Sequence, residues 1–150
     1  MLTTAVLREA TADDHASIVA LLAQAGLPTA DLRPEALRDF IVALDAGAIV
    51  GAVGVERYGE HALLRSLVVA PDWRAHGLAT ALVEAIEARA RAEGLRSLTL
   101  LTETAAPFFA ARGYSQVDRA RAPGAVHASR EFSSLCPAGS ACMHKIFDNR

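Results

Sequence analysis

The chain has 150 residues, 52% of them hydrophobic, with a formal net charge of −2 at pH 7 and two cysteines. That is enough for a single domain over residues 1–150 with a real core, and no apolar run approaches the ~20 residues that span a bilayer. The charge gives no case for nucleic acid as a partner, the cysteines make no disulfide framework and no signal-peptide pattern opens the chain, so a soluble cytoplasmic protein is expected.

Residues 4–9 read as a short first strand. Thr11 and Asp14 have the spacing of a capping box. Ile18, Leu21, Leu22 and Ala25 then share one helical face, and Gly26 ends that helix. Pro28 and Pro34 fence a second, weaker helical piece around Glu35 and Arg38. Residues 40–44 and 48–56, joined by Asp45, Ala46 and Gly47, read as a hairpin. Gly51 and Gly54 weaken its second strand and mark a bulge or a close backbone approach.

Tyr58, Gly59 and Glu60 form the next turn, and residues 61–69 form a buried central strand. Pro71 and Asp72 break the pattern. A long helix follows over residues 77–93, with Leu78, Leu82, Ile86 and Ala90 on one face and Gly94 as its stop. Residues 95–102 are another strand, parallel to the central one and reached through a right-handed crossover. Residues 105–112 read as a short helix closed by Gly113, residues 114–118 as a strand, and residues 141–147 as a final strand.

The chemistry concentrates at the join between central strand and long helix. The first N–H groups of a helix lack intrahelical partners, and its dipole adds positive potential there. Gly77 and Ala79 leave room for a diphosphate against the backbone, and Arg74 supplies a charge-assisted hydrogen bond. The alternative is a strand–turn–helix whose glycine serves only the turn.

The order R-x-x-G-x-A after a strand ending V-V-x-P resembles the acetyl-CoA motif of the GCN5-related N-acetyltransferase (GNAT) superfamily. The F-F-x-x-x-G-Y segment ending at Tyr114 adds to it. The resemblance is strongest over residues 63–114. It implies an α/β (α+β) fold with a mixed, strongly bent sheet of about six or seven strands and about four helices, splayed between the central strand and the next. It implies acetyl-CoA as co-substrate and no metal. Arg74, Ala75, His76, Gly77, Leu78, Ala79 and Thr80 would hold the pyrophosphate. The backbone of Leu67, Val68 and Val69 would orient the pantetheine arm and donate to the oxyanion. Thr102 stands where many relatives have a pantetheine-contacting Asn. Dimers are common in the family, and the C-terminal strand is one candidate for the contact.

Two positions depart from the family. Many relatives have a Tyr, as acid to the thiolate, where this chain has Phe109. Many place a Glu as base where this chain has Arg65 and Ser66, and a guanidinium cannot act as a base. Arg65 either binds an anionic group of a small amine acceptor, with Ser66 adding a hydrogen bond, or pairs with a carboxylate across the sheet. Glu103, Glu56 and His61 are candidate bases, with Glu103 first. Asp31, Arg33 and Arg38 lie in the region that covers the acceptor in the family, and surface charge is the plainer reading of them.

Cys136 and Cys142 are either a soft-ion site, with His127 or His144 completing it, or inert buried thiols. The tail around them is also similar to arsenic-resistance-type N-acetyltransferases. That similarity implies a phosphinothricin-like acceptor with two anionic groups, met by Arg65 and by Arg57 or Arg8. Three other readings stay open: a generic amine or protein N-acetyltransferase, a non-catalytic acyl-CoA sensor, and a metalloid-binding protein.

Overall fold

A computed structural model describes residues 5–75, 77–122 and 140–147. In chain order the strands are β1 (Val6–Glu9), β2 (Phe40–Asp45), β3 (Ala48–Tyr58), β4 (His61–Val69), β5 (Ser97–Thr102), β6 (Ser115–Val117) and β7 (Ala141–Ile146). The α-helices are α1 (His15–Gln24), α2 (Leu78–Ala92) and α3 (Ala106–Ala110), and among the described residues there are also short 3-10 helices at Ala12–Asp14, Pro34–Asp39, Pro71–Trp73 and Arg119–Arg121. The strands form one mixed sheet in the order β1-β2-β3-β4-β5-β7-β6. The chain divides into two compact units, one of Met1–Val55 with Ser66–Arg89, the other of Glu56–Arg65 with Ala90–Arg150.

In the first unit β1 and β2 are antiparallel, as are β2 and β3. The β2–β3 turn has Ala46 at φ +50° and Gly47 at φ +83°, the paired left-handed residues that a tight hairpin with right-handed strand twist requires. The Thr11 N–H donates to the Asp14 carboxylate at 2.8 Å, closing the expected capping box. Ile18 and Leu22 of α1 are fully buried with Leu37, Phe40, Val42 and Ala52. Ala25 is exposed, because the last turn of α1 ends at Gln24 and Ala25 follows it as the cap.

The two strand glycines are explained by close approach. A Cβ on Gly54 would overlap the fully buried Phe40 ring. A Cβ on Gly51 would lie 3.0 Å from Leu82 Cδ1, 3.2 Å from the Val68 carbonyl oxygen and 3.3 Å from Leu78 Cδ2. The absent side chain of Gly51 therefore lets α2 and β4 close on β3. Leu78, Leu82 and Ile86 are buried as their spacing requires, and Val83 is buried with them.

In the second unit β4 and β5 pair in parallel over His61–Leu63 and Ser97–Thr99, as the crossover through α2 demands. Gly94, at φ +82°, and the Leu95 N–H to Ala90 carbonyl bond of 3.0 Å end that helix. Beyond this pairing, β5 continues through Leu100, Leu101 and Thr102, with β7 antiparallel on its other side. The C-terminal strand thus lies between β5 and β6, with partners on both edges. Over Cys142–His144, where both edges are paired, β7 offers no open row of backbone groups.

Candidate active site

The backbone of β4 is irregular at Ser66. This non-glycine residue sits at φ +61° inside a strand. Such a conformation costs on the order of 1–2 kcal/mol and marks a strained, over-determined position. The four residues before it, Ala62, Leu63, Leu64 and Arg65, are buried, whereas Ser66 and Leu67 are half-buried and Val68 and Val69 buried again.

In the first unit, β4 leaves the sheet through a tight backbone path. The Ala70 N–H donates to Val50 O at 2.8 Å, and the Trp73 N–H to Ala70 O at 2.8 Å. Arg74 is exposed and turns its Nε back to Val69 O at 3.3 Å. Ala75 at φ +64° and Gly77 at φ +79° are both left-handed. His76 between them lies outside the described residues. α2 begins at Leu78, which is buried, and the Ala81 N–H donates to Gly77 O at 3.1 Å. Left-handed residues just before a helix turn backbone N–H groups toward one side and form a concavity for anions. Among the described residues, a Cβ on Gly77 would meet nothing within 4 Å. An anion placed there would meet the favourable end of the α2 dipole, with Arg74 adjacent in the chain.

In the second unit, Arg65 and Glu56 are a pair. Arg65 Nη1 donates to Glu56 Oε1 at 2.6 Å, and the Tyr58 hydroxyl donates to Glu56 Oε2 at 2.6 Å. The Arg65 side chain is 2% exposed and that of Glu56 25%. A buried guanidinium needs such a partner, because an uncompensated charge in the interior is expensive. The carboxylate partner anticipated across the sheet is therefore present, and the open end of the pair is Glu56. Tyr58 was not legible as a site residue. Its one sequence signal is the i, i+2 spacing that puts it on the strand face of Glu56.

The other cations proposed for an anionic acceptor also have carboxylate partners. Arg57 pairs with Glu93. Arg8 donates to Asp14 at 2.8 and 3.0 Å. The Arg8 hydrogen bond holds the Asp14 carboxyl below the usual range, against the opposing effect of burial. His61 Nδ1 lies 2.7 Å from Ser97 Oγ. Glu103 is exposed in the bend after β5.

Thr102 Oγ1 accepts from the Ala105 N–H at 2.9 Å and so caps the turn into α3. Phe109 is buried, edge-on to Phe108 at 5.1 Å and to Tyr114 at 5.3 Å. The cage fixes residue 109 without giving it a proton to donate. Lys145 of β7 donates to Arg112 O at 2.9 Å, holding the turn after α3.

Cys142 is a buried, free thiol in β7, and burial pushes its pKa up. It behaves as a small apolar side chain. Cys136 and His127 lie outside the described residues. Among the described residues no cluster of three or more His, Cys, Asp or Glu could hold a metal ion, and no helix is long and apolar enough to cross a membrane.

The chain belongs to the GNAT acetyltransferases: the family model for the acetyltransferase (GNAT) domain matches residues 36–116. The chain is 30% identical over 127 residues to an amino-acid acetyltransferase of Ectopseudomonas mendocina, covering 79% of this chain and 29% of that protein. It is 32% identical over 109 residues to an N-acetyltransferase of Chlorobaculum tepidum, covering 72% of this chain and 68% of that protein. The chain spans less than a third of the length of the amino-acid acetyltransferases it matches. The fold is that of N-acetylglutamate synthase from Neisseria gonorrhoeae, solved with coenzyme A and N-acetyl-glutamate. That likeness has a TM-score of 0.82 at 18% identity and covers 97% of this chain and 36% of that one. It is also that of the Rv2747 protein of Mycobacterium tuberculosis, solved with CoA, at a TM-score of 0.80 and 22% identity, covering 95% and 99% of the two chains.

Proposed function

We propose that this chain transfers the acetyl group of acetyl-CoA directly to the amine of a small amino acid, an acidic one such as glutamate. One observation carries the reading: the left-handed Ala75 and Gly77 lead into α2. The backbone there and Arg74 would hold the pyrophosphate, and the backbone of Leu67 to Val69 would orient the thioester. The acceptor class rests on the relatives named amino-acid acetyltransferases and on the N-acetyl-glutamate of the Neisseria structure.

The chemistry needs a neutral amine beside the thioester carbonyl, a donor for the oxyanion and departure of the thiolate. Arg65 is too enclosed to grip the acceptor's carboxylate directly, and its role runs through Glu56. Glu103, exposed after β5, is the proposed base, with water as its route to the amine. An organoarsenical amino acid is a special case of the same acceptor. No relative reported above supports it, so it enters only as one compound to assay.

A second reading, an acyl-CoA-binding domain without turnover, draws on the buried Phe109 in place of a hydroxyl donor. Thiol release from acetyl-CoA separates the two. The panel holds glutamate, other amino acids, a phosphinothricin-like acid, a polyamine and a peptide. Release confined to amino acids supports the first reading. Tight acetyl-CoA binding without release on any acceptor supports the second.

A further inference from the structure

We infer that Glu56 is the subsite for the acceptor's amine, held in place by Arg65 and Tyr58 as positioning residues; the inference rests on the amino-acid reading above. The two partners of the pair are not enclosed together. The guanidinium side chain is 2% exposed and the carboxylate side chain 25%. The pair therefore presents an anionic end outward and keeps its cationic end inside.

Both oxygens are pinned. Oε1 accepts from Arg65 at 2.6 Å and Oε2 from the Tyr58 hydroxyl at 2.6 Å. A carboxylate has about four acceptor positions, of which these bonds take two. What meets such a group is a hydrogen-bond donor, and on the amino-acid reading that donor is the amine. A primary amine suits it in both of its protonation states.

The buried cation makes this useful for acyl transfer. A lone carboxylate would favour the ammonium form and oppose its deprotonation. Glu56 is already countered by Arg65, so it accepts an N–H from ammonium or from neutral amine without locking the extra proton on nitrogen. The amine can then lose that proton to water or another base while staying oriented. This assigns Glu56 to binding and leaves the proton acceptor elsewhere.

The test is calorimetric binding of glutamate and of glutarate, its analogue without the amine, to the full chain in the presence of CoA. Wild type is expected to bind glutamate about tenfold more tightly, the worth of one charge-assisted hydrogen bond. Glu56→Asp keeps the charge beside Arg65 but withdraws the carboxylate; it should erase most of that preference and leave glutarate binding unchanged. The double variant Glu56→Gln with Arg65→Gln removes both charges of the pair and should erase the preference fully. Equal binding of the two ligands by wild type overturns the inference, as does a preference that Glu56→Asp leaves intact. Thiol release with glutamate is read separately. Turnover with an unchanged preference in Glu56→Asp sinks the subsite and leaves the activity standing. An amine preference that depends on Glu56, without turnover, does the reverse.

Discussion

Arg65 Nη1 lies 2.6 Å from Glu56 Oε1, and the burial of the two partners is unequal, 2% of one side chain exposed against 25% of the other. Removing the two partners should therefore have unequal effects on stability. Glu56→Gln takes the carboxylate from a buried guanidinium and should cost about 3 kcal/mol. Arg65→Met leaves a carboxylate that water can reach and should cost about 1 kcal/mol. Urea denaturation of both variants checks the order. A larger loss in Arg65→Met would contradict the assignment of Arg65 as the enclosed partner.

Gly54 and Phe40 are a packed pair in which the ring occupies the place of the missing side chain. Gly54→Ala should lose about 2 kcal/mol through overpacking. Phe40→Leu alone leaves a cavity and should also destabilise. The double variant should be more stable than the sum of the singles, because the smaller residue at 40 admits the new methyl. Strictly additive losses in a double-mutant cycle would show that the two sites do not share that space.

Much of this was legible from local pattern. The bounds of β4, the hairpin turn at Ala46 and Gly47, the capping box at Thr11 and the buried stripe of α2 all follow from short-range rules. What escaped is non-local. Nothing in residues 141–147 says that they insert between β5 and β6, because either open strand edge would satisfy the same alternation. The left-handed Ser66 carries no glycine or asparagine to announce it. Arg65 looked available because its partner lies nine residues away on another strand, and Tyr58 enters the site only once that partner is known.

Gly77 and Gly47 separate conformation from ligand approach. Both have positive φ, +79° and +83°, and among the described residues, chain neighbours aside, neither has an atom within 4 Å of an added Cβ. Gly77→Ala and Gly47→Ala should each cost about 1 kcal/mol in the fold. Only Gly77→Ala should raise the KM for acetyl-CoA, by roughly tenfold, since its methyl would occupy the space proposed for the diphosphate. Equal KM values in the two variants would remove the pyrophosphate role from this loop.

Asp14 sets an acid limit on the fold. Its folded pKa is lowered, chiefly by the Arg8 hydrogen bond. The stability it contributes is therefore present above the unfolded carboxyl pKa of about 3.9 and is lost as pH falls through the lower folded value. Asp14→Asn should cost about 1 kcal/mol near neutral pH, through the capping box and the ion pair. The difference from wild type should shrink below about pH 4. A difference that stays constant into that range would show that the carboxylate charge is not what matters.

In the proposed reaction, acetyl passes from coenzyme A to an amino-acid nitrogen. The direct measurement is carbon NMR of purified protein with acetyl-labelled acetyl-CoA and glutamate. The expected result is conversion of the thioester carbonyl signal into an amide carbonyl signal, with Gly77→Ala slowing it. Loss of thioester no faster than in a blank without amine, for glutamate and every other amino acid tried, would contradict acetyl transfer to an amino acid.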